Sequence, residues 1–280
     1  MSEITVTKIG GALGAEIGGV DISKKLDDAT VKGIHQALLD HLVIFFRDQE
    51  LTDDDLIRFG KNFGELAPLP PHRQNPGMYP EILVVEKKPE DTVNFGYEWH
   101  SDTTHLPIPP MGSILYAMEV PEHGGDTLFA NQYLAYDTLS EGLRETLDGM
   151  NAVHGNGRIL RVLESGTLPV YGQEAVSAAH STDRSSHPIV RTHPETGKKA
   201  LYVNIAHTES IEGMDVLECQ PFLHTLFRHS TQNHLTCRFQ WRKGSVAFWD
   251  NRCCQHLALN DYPGEHRLMH RVQVKGTKPV

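Results

Sequence analysis

The sequence predicts a mainly β fold with flanking helices: a sandwich or barrel-like core of strands with the helices outside. Three observations carry this expectation. Short runs rich in Val, Ile, Phe and Trp recur along the chain, most densely after residue 236. Helical patterns interrupt them irregularly, without the strand–helix alternation of a parallel α/β sheet. No internal repeat, low-complexity tract or linker divides the 280 residues, which are enough for one substantial core and are read as a single domain, 1–280.

The elements follow in order. "ITVTKI" and "AEIGGVDI" read as strands joined by the glycine-rich "GGALG". In "LDDATVKGIHQALLDH", Val31, Ile34, Leu38 and His41 recur at the spacing of one helical face. "LVIFF" is a buried strand, and "LTDDDLIRFGKNFGEL" opens on a Thr followed by acids, a helix start. Residues 67–110 are rich in Pro, Gly and Asn around the strand "EILVVEKK", which fits a lid or pocket wall. "GSILYAMEV" and "GDTLFAN" are strands flanking the turn "PEHGG". "AYDTLSEGLRETLDGM" reads as one helix with Leu139, Leu143 and Leu147 on one face. "HPIVRTHPETGKKALYVN" is a hairpin turning at "PETGKK", and "MDVLECQPFLHTLFRHS" a helix broken or begun anew at Pro221. "TCRFQWR", "GSVAFWD" and "RLMHRVQVKG" close the chain as strands.

Composition excludes several classes. A formal charge of −10 without a basic cluster argues against nucleic acid as a partner. The N-terminus lacks a basic stretch followed by an apolar core, and no apolar run approaches the ~18 residues of a membrane span, so the expectation is a soluble, cytoplasmic protein without membrane contact. Cys219, Cys237, Cys253 and Cys254 form no C-x-x-C pair and read as small buried thiols in a reducing compartment.

The chemistry concentrates in "GYEWHSDTTHLP". Residues i and i+2 of an extended strand share a face, so His100 and Asp102 can grip one ion. Two imidazoles and a carboxylate leave coordination positions open, the arrangement of non-haem Fe(II) oxygenases. His256, after the apolar strand "SVAFWD", is a third-ligand candidate; His105, His187, His193 and His207 compete with it, and spacing leaves the choice open. Further on, "HRLMHR" carries Arg267 and Arg271 on one face of a strand. If that face is inward, each guanidinium needs an anion, and its planar fork matches a carboxylate in a two-point grip.

The order H-x-D, "GGDT", "WDNR" with a following His, and R-x-x-x-R resembles the taurine dioxygenase family of Fe(II)/2-oxoglutarate-dependent dioxygenases, along nearly the whole chain from "ALGAEIGGVDI" to the C-terminus. The resemblance implies a double-stranded β-helix (jelly roll) with Fe(II) as cofactor and 2-oxoglutarate and O2 as co-substrates. It implies hydroxylation of a C–H bond, with succinate and CO2 as co-products. By position it implies His100, Asp102 and His256 as iron ligands and Thr127 with Arg267 as the grip on the distal carboxylate of 2-oxoglutarate. It implies Arg271 and the backbone amide of Thr103 as contacts for an acidic substrate. Gly124 and Gly125 would allow the close approach that turns Thr127 inward. The carboxylate of Asp102 argues against halogenation, since it fills the position that related halogenases leave to chloride. Relatives form dimers or tetramers, so a homo-oligomer is part of what the resemblance implies.

The substrate region departs from taurine-specific relatives. "LPLPPHRQNPGMYPEI" displaces His72 and puts Tyr79 further on, "NFGYEWH" places Gly96 and Tyr97 before the metal motif, and "VNIAH" has His207 where taurine enzymes carry an aromatic. His72, Tyr97 and His207 are therefore pocket candidates. "HGGDT" and "WHSDTTHL" are at least as similar to dioxygenases of aryloxyalkanoic acids. The expected substrate is a small organic acid: a sulfonate, a sulfate ester or an aryloxyalkanoate. Two alternatives remain: a non-oxidative cupin-type metal enzyme and a catalytically silent binding protein.

Overall fold

The computed structural model describes residues 4–69, 79–156 and 183–280. In chain order its strands and helices are β1 (Thr5–Lys8), β2 (Ala15–Gly18), α1 (Asp28–His41), β3 (Val43–Phe46), α2 (Asp53–Lys61), β4 (Leu83–Lys87), β5 (Gly112–Glu119) and β6 (Thr127–Asn131). They continue with α3 (Gln132–Asp137), α4 (Glu141–Leu147), β7 (Asn151–His154), β8 (Ser185–Pro188), β9 (Val190–Thr192), β10 (Lys199–Leu201) and β11 (Thr208–Ile211). The last are α5 (Val216–Ser230), β12 (Thr236–Phe239), β13 (Val246–Asp250), β14 (Cys254–Ala258) and β15 (Arg267–Val274).

A seven-stranded sheet, ordered β1-β2-β3-β13-β5-β15-β4, faces a three-stranded sheet ordered β12-β6-β14. One apolar cluster joins the facing surfaces: Phe45, Leu115, Trp249 and Met269 from the large sheet meet Phe129 and Phe239 from the small one. Phe45 stacks on Phe239 at 3.9 Å and meets Phe129 edge-on at 5.6 Å. Each such fully buried side chain contributes about 1.5–3 kcal/mol relative to exposure. This two-sheet core is the jelly roll that the strand pattern and the resemblance lead one to expect.

The other face of the large sheet is covered by α1 and α2, through Ile34, Leu38, Leu56 and Phe59. Both helices start on caps that the sequence displays. Asp27 accepts from the Thr30 amide, and Thr52 and Asp55 form a reciprocal capping box. A third cluster packs α3, α4 and α5 on the hairpin β9–β10, which turns at "PETGKK" as the sequence predicts.

Three local expectations are corrected. The helix expected through "AYDTLSEGLRETLDGM" is two, because the Thr138 hydroxyl bonds back to the Leu134 carbonyl and Ser140 is extended at φ −60°, ψ 152°. The break expected at Pro221 does not occur, and α5 runs through it. Proline leaves the Leu217 carbonyl without its donor, but Leu217 is 85% exposed, so water can serve that oxygen. His256 lies inside a strand of its own, β14, rather than after one. Among the described residues no helix is long and apolar enough to cross a membrane. All four cysteines are buried and none forms a disulfide among the described residues.

Candidate metal centre and its cavity

His100 and His256 meet across an antiparallel bridge. The His100 amide donates to the His256 carbonyl at 3.0 Å and the His256 amide to the His100 carbonyl at 2.8 Å. Residues so opposed project their side chains to the same side, and the two rings lie 4.1 Å apart, centroid to centroid. The strand expected through His100 and Asp102 is not formed: His100 is an isolated bridge residue and Asp102 lies in a turn, so the turn and not strand alternation brings the two side chains together. After Asp102 the chain reverses through Thr103 at φ 48°, a left-handed conformation held in a turn. Asp102 Oδ1 lies 3.7 Å from His100 Nε2 and 3.9 Å from His256 Nε2. The ligand atoms of the three residues all fall within 4.8 Å of one another, and all three residues are buried.

The protonation states suit a cation. Burial favours a neutral Asp102 carboxyl, but Arg271 first, then His256, His100 and the Ser113 hydroxyl outweigh it and hold the group well below the usual carboxylate range. Burial lowers the pKa of both imidazoles, that of His256 well below 6.5. His100 Nδ1 faces the Glu98 carbonyl at 2.7 Å. A carbonyl only accepts, so Nδ1 carries the proton and Nε2 keeps its lone pair for a metal.

The cluster opens on a cavity lined by Phe95, Gly96, Thr127, Trp249, Arg267 and Arg271. Arg267 and Arg271 both point inward from β15, each about 5% exposed. Arg271 Nη1 donates to Asp102 Oδ1 at 3.0 Å, and its guanidinium lies over the Phe95 ring at 5.8 Å. Arg267 forms no ion pair among the described residues and its Nε has no hydrogen-bond partner; burial pulls its pKa down. A buried unpaired guanidinium is costly, and facing a cavity it fits an organic carboxylate. Beside it, Trp241 Nε1 donates to Thr127 Oγ1 at 2.9 Å. Indole only donates, so the Thr127 hydroxyl hydrogen stays available for an acceptor in the cavity. The donor set thus fits both groups the sequence implies, a 2-His-1-carboxylate metal and a carboxylate co-substrate.

The glycines of "GGDT" have a specific use. Gly124 and Gly125 are left-handed, at φ 79° and 68°. A Cβ on Gly124 would come within 2.8 Å of the Asp261 carbonyl oxygen, and one on Gly125 within 3.2 Å of Tyr262. The Gly125 amide donates to Asp261 Oδ1 at 2.8 Å. The pair docks on Asp261 and Tyr262, and β6 starts from that fixed point with Thr127.

The competing histidines go elsewhere. His193 Nδ1 accepts from the Glu195 and Thr196 amides at 3.2 and 3.1 Å, so Nε2 holds the proton and donates to Asp250 Oδ2 at 3.0 Å. Asp250 is also clasped by Arg252, which makes His193, Asp250 and Cys253 a hydrogen-bonded lock rather than a metal site. The His105 and His207 rings meet tilted at 5.2 Å and those of His154 and His187 tilted at 5.3 Å, a buried group beside the centre. His207 is 6.3 Å from His100, with its pKa well below 6.5 through burial and then His105. Tyr97 is half-buried and outside the cavity lining; His72 lies outside the described residues. Sequence reading missed Phe95, Trp249 and Ser113. Strand alternation from Leu115 marks Ser113 as inward-facing; nothing local marks the others.

Comparison with known proteins accords with this geometry. A sulfate ester dioxygenase of Pseudomonas putida, named as α-ketoglutarate-dependent, is 36% identical over 99% of this chain and 91% of its own. An alkylsulfatase of Acinetobacter baylyi is 35% identical over 98% of this chain and 86% of its own. The crystal structure of a taurine dioxygenase from Burkholderia xenovorans superimposes with a TM-score of 0.82 at 35% identity, covering 99% of this chain and 91% of that one. The family model described as "Taurine catabolism dioxygenase TauD, TfdA family" matches residues 5–273. With its triad, inward arginines and jelly roll in the same order, the chain belongs to the TauD/TfdA family of dioxygenases.

Proposed function

We propose that the protein is an Fe(II)/2-oxoglutarate-dependent dioxygenase that hydroxylates a C–H bond of a small anionic organic substrate, with a sulfate ester as the first class to test. The observation that carries the reading is one cavity holding both the His100–Asp102–His256 cluster and the Arg267 guanidinium, which has no ion-pair partner among the described residues. When bound, the metal with 2-oxoglutarate and O2 supplies the oxidant, with succinate and CO2 as co-products. His100 and His256 would bind it through Nε2 and Asp102 through Oδ1. Arg267 and the Thr127 hydroxyl would hold the distal carboxylate of 2-oxoglutarate. An Arg267 without an ion-pair partner among the described residues supports this over a cupin-type metal enzyme without co-substrate, which would have no carboxylate to place there.

Arg271 is the candidate for the substrate's acidic group. Nη1 is committed to Asp102, while Nε has no hydrogen-bond partner among the described residues and the side chain lines the cavity. The Thr103 amide and His207 remain candidates for the same ligand. The similarity to two proteins named for sulfate esters supports trying that class before sulfonates and aryloxyalkanoates. Four buried cysteines without a disulfide among the described residues accord with a reducing cytoplasm.

The test is anaerobic addition of Fe(II) and 2-oxoglutarate, followed by visible absorption. A metal-to-ligand charge-transfer band is expected, absent in Asp102→Ala and weak in Arg267→Ala; no band in the intact protein refutes the proposal. Substrate-dependent succinate release across sulfate esters, sulfonates and aryloxyalkanoates then fixes the class. Arg271→Ala should lose that dependence while still binding 2-oxoglutarate; loss of 2-oxoglutarate binding would reassign Arg271 to the co-substrate.

A further inference from the structure

The two oxygens of Asp102 have different surroundings. Oδ1 faces both imidazole Nε2 atoms and receives Arg271 Nη1. Oδ2 turns away and accepts the Ser113 hydroxyl at 2.6 Å. Ser113, fully buried on β5, is the cross-strand partner of Trp249 on one side and of Gln273 on the other. Its oxygen accepts from Asn251 Nδ2 at 3.0 Å and from Gln273 Nε2 at 3.1 Å. A hydroxyl has two acceptor sites and one hydrogen. With two amide donors on its oxygen, that hydrogen is left for Asp102.

The orientation of Asn251 is fixed in turn. Its Oδ1 accepts Trp249 Nε1 at 2.9 Å and the Asp102 backbone amide at 3.3 Å. Both are donors only, so the amide cannot be flipped, and Nδ2 must face Ser113. Trp249, Asn251, Ser113 and Asp102 thus form a directed chain in which every member is at most 3% exposed.

We infer that Ser113, oriented by Asn251, is a positioning residue that makes Asp102 a one-oxygen metal ligand. By holding Oδ2 in a hydrogen bond, it presents Oδ1 alone to the site. A carboxylate gripping through both oxygens would take a position that 2-oxoglutarate or O2 needs. The inference rests on the proposed metal reading but assigns something separate, the role of residues that touch neither metal nor substrate. Outer partners of this kind change metal affinity by about ten- to hundred-fold when removed.

The experiment loads the full chain with Mn(II) or Co(II) alone and needs no turnover. Ser113→Ala is expected to weaken Mn(II) binding by about ten- to hundred-fold and to alter the visible spectrum of the Co(II)-loaded protein, with its circular dichroism unchanged. Ser113→Thr, which keeps the hydroxyl, should restore both. Gln273→Met, at a half-buried position, leaves Asn251 to orient Ser113 and should shift affinity only a few-fold; it serves as second variant should Ser113→Ala not fold. Metal affinity and Co(II) spectrum identical to the parent in folded Ser113→Ala, or in Gln273→Met where only that variant folds, overturn the inference and leave the metal site standing. A parent chain that binds neither ion overturns both readings.

Discussion

Gly96 lies against the edge of His100: a Cβ on residue 96 would come within 3.2 Å of the His100 Cε1 atom. The glycine is also left-handed, at φ 84°, and its carbonyl accepts the Ala258 amide of β14 at 2.9 Å. Two residues earlier, Asn94 clamps the Ala258 and Leu259 carbonyls through Nδ2 at 3.1 and 2.9 Å. The segment before the metal motif is therefore fastened to the strand that carries His256. Gly96→Ala should strain the backbone by about 1–2 kcal/mol and push the imidazole aside, weakening Mn(II) binding by about tenfold. A Mn(II) titration that matches the parent would refute this.

The proposed role of Arg267 sets stability against binding. Arg267→Met should raise the melting temperature, because it removes a buried guanidinium that has no ion-pair partner among the described residues. The same change should raise the 2-oxoglutarate Kd by roughly ten- to hundred-fold, the loss of a charge-assisted interaction of about 1.5–3 kcal/mol. Calorimetry checks both, and a lower melting temperature with unchanged affinity would contradict the assignment.

The docking of "GGDT" is open to a stability measurement. Gly124→Ala places a Cβ 2.8 Å from the Asp261 carbonyl oxygen, with φ already at 79°. The Asp261 backbone faces that position and cannot rotate away as a side chain could, so a loss of about 1–3 kcal/mol is expected in urea unfolding. Because β6 starts there, a raised KM for 2-oxoglutarate should accompany it. A variant as stable as the parent would show that the turn can move.

The buried histidines make stability fall on the acid side. Burial first, then His187 and His105, lower the pKa of His154 from 6.5 to about 3. Between those values the unfolded chain holds a proton that the folded chain refuses, so stability rises with pH there. The contribution is intact above pH 6.5 and is lost as pH falls toward 3, with a slope of about 1.4 kcal/mol per pH unit for this imidazole. His187 and His207 shift in the same direction. Urea unfolding at pH 7.5, 6 and 5 should show the decline and His154→Asn should flatten it; an equal slope in both chains would remove His154 from the account.

The sequence by itself determined the residue types of the centre and much of the frame around them. His100 and Asp102 are neighbours, Arg267 and Arg271 share a strand face by period alone, and the caps Asp27 and Thr52 mark helix starts, because these relations are local. The tertiary structure decided which distant histidine joins the pair. His256 does so because its backbone pairs with His100, whereas His193 is consumed by Asp250 and His105 and His207 face one another. It also decided that Arg271 reaches Asp102 while Arg267 finds no ion-pair partner among the described residues, and that Ser113 holds Oδ2. Cross-strand register sets those contacts, and register depends on how sheets pair over long sequence separations. A one-residue slip would turn Ser113 to the opposite face with every local propensity unchanged.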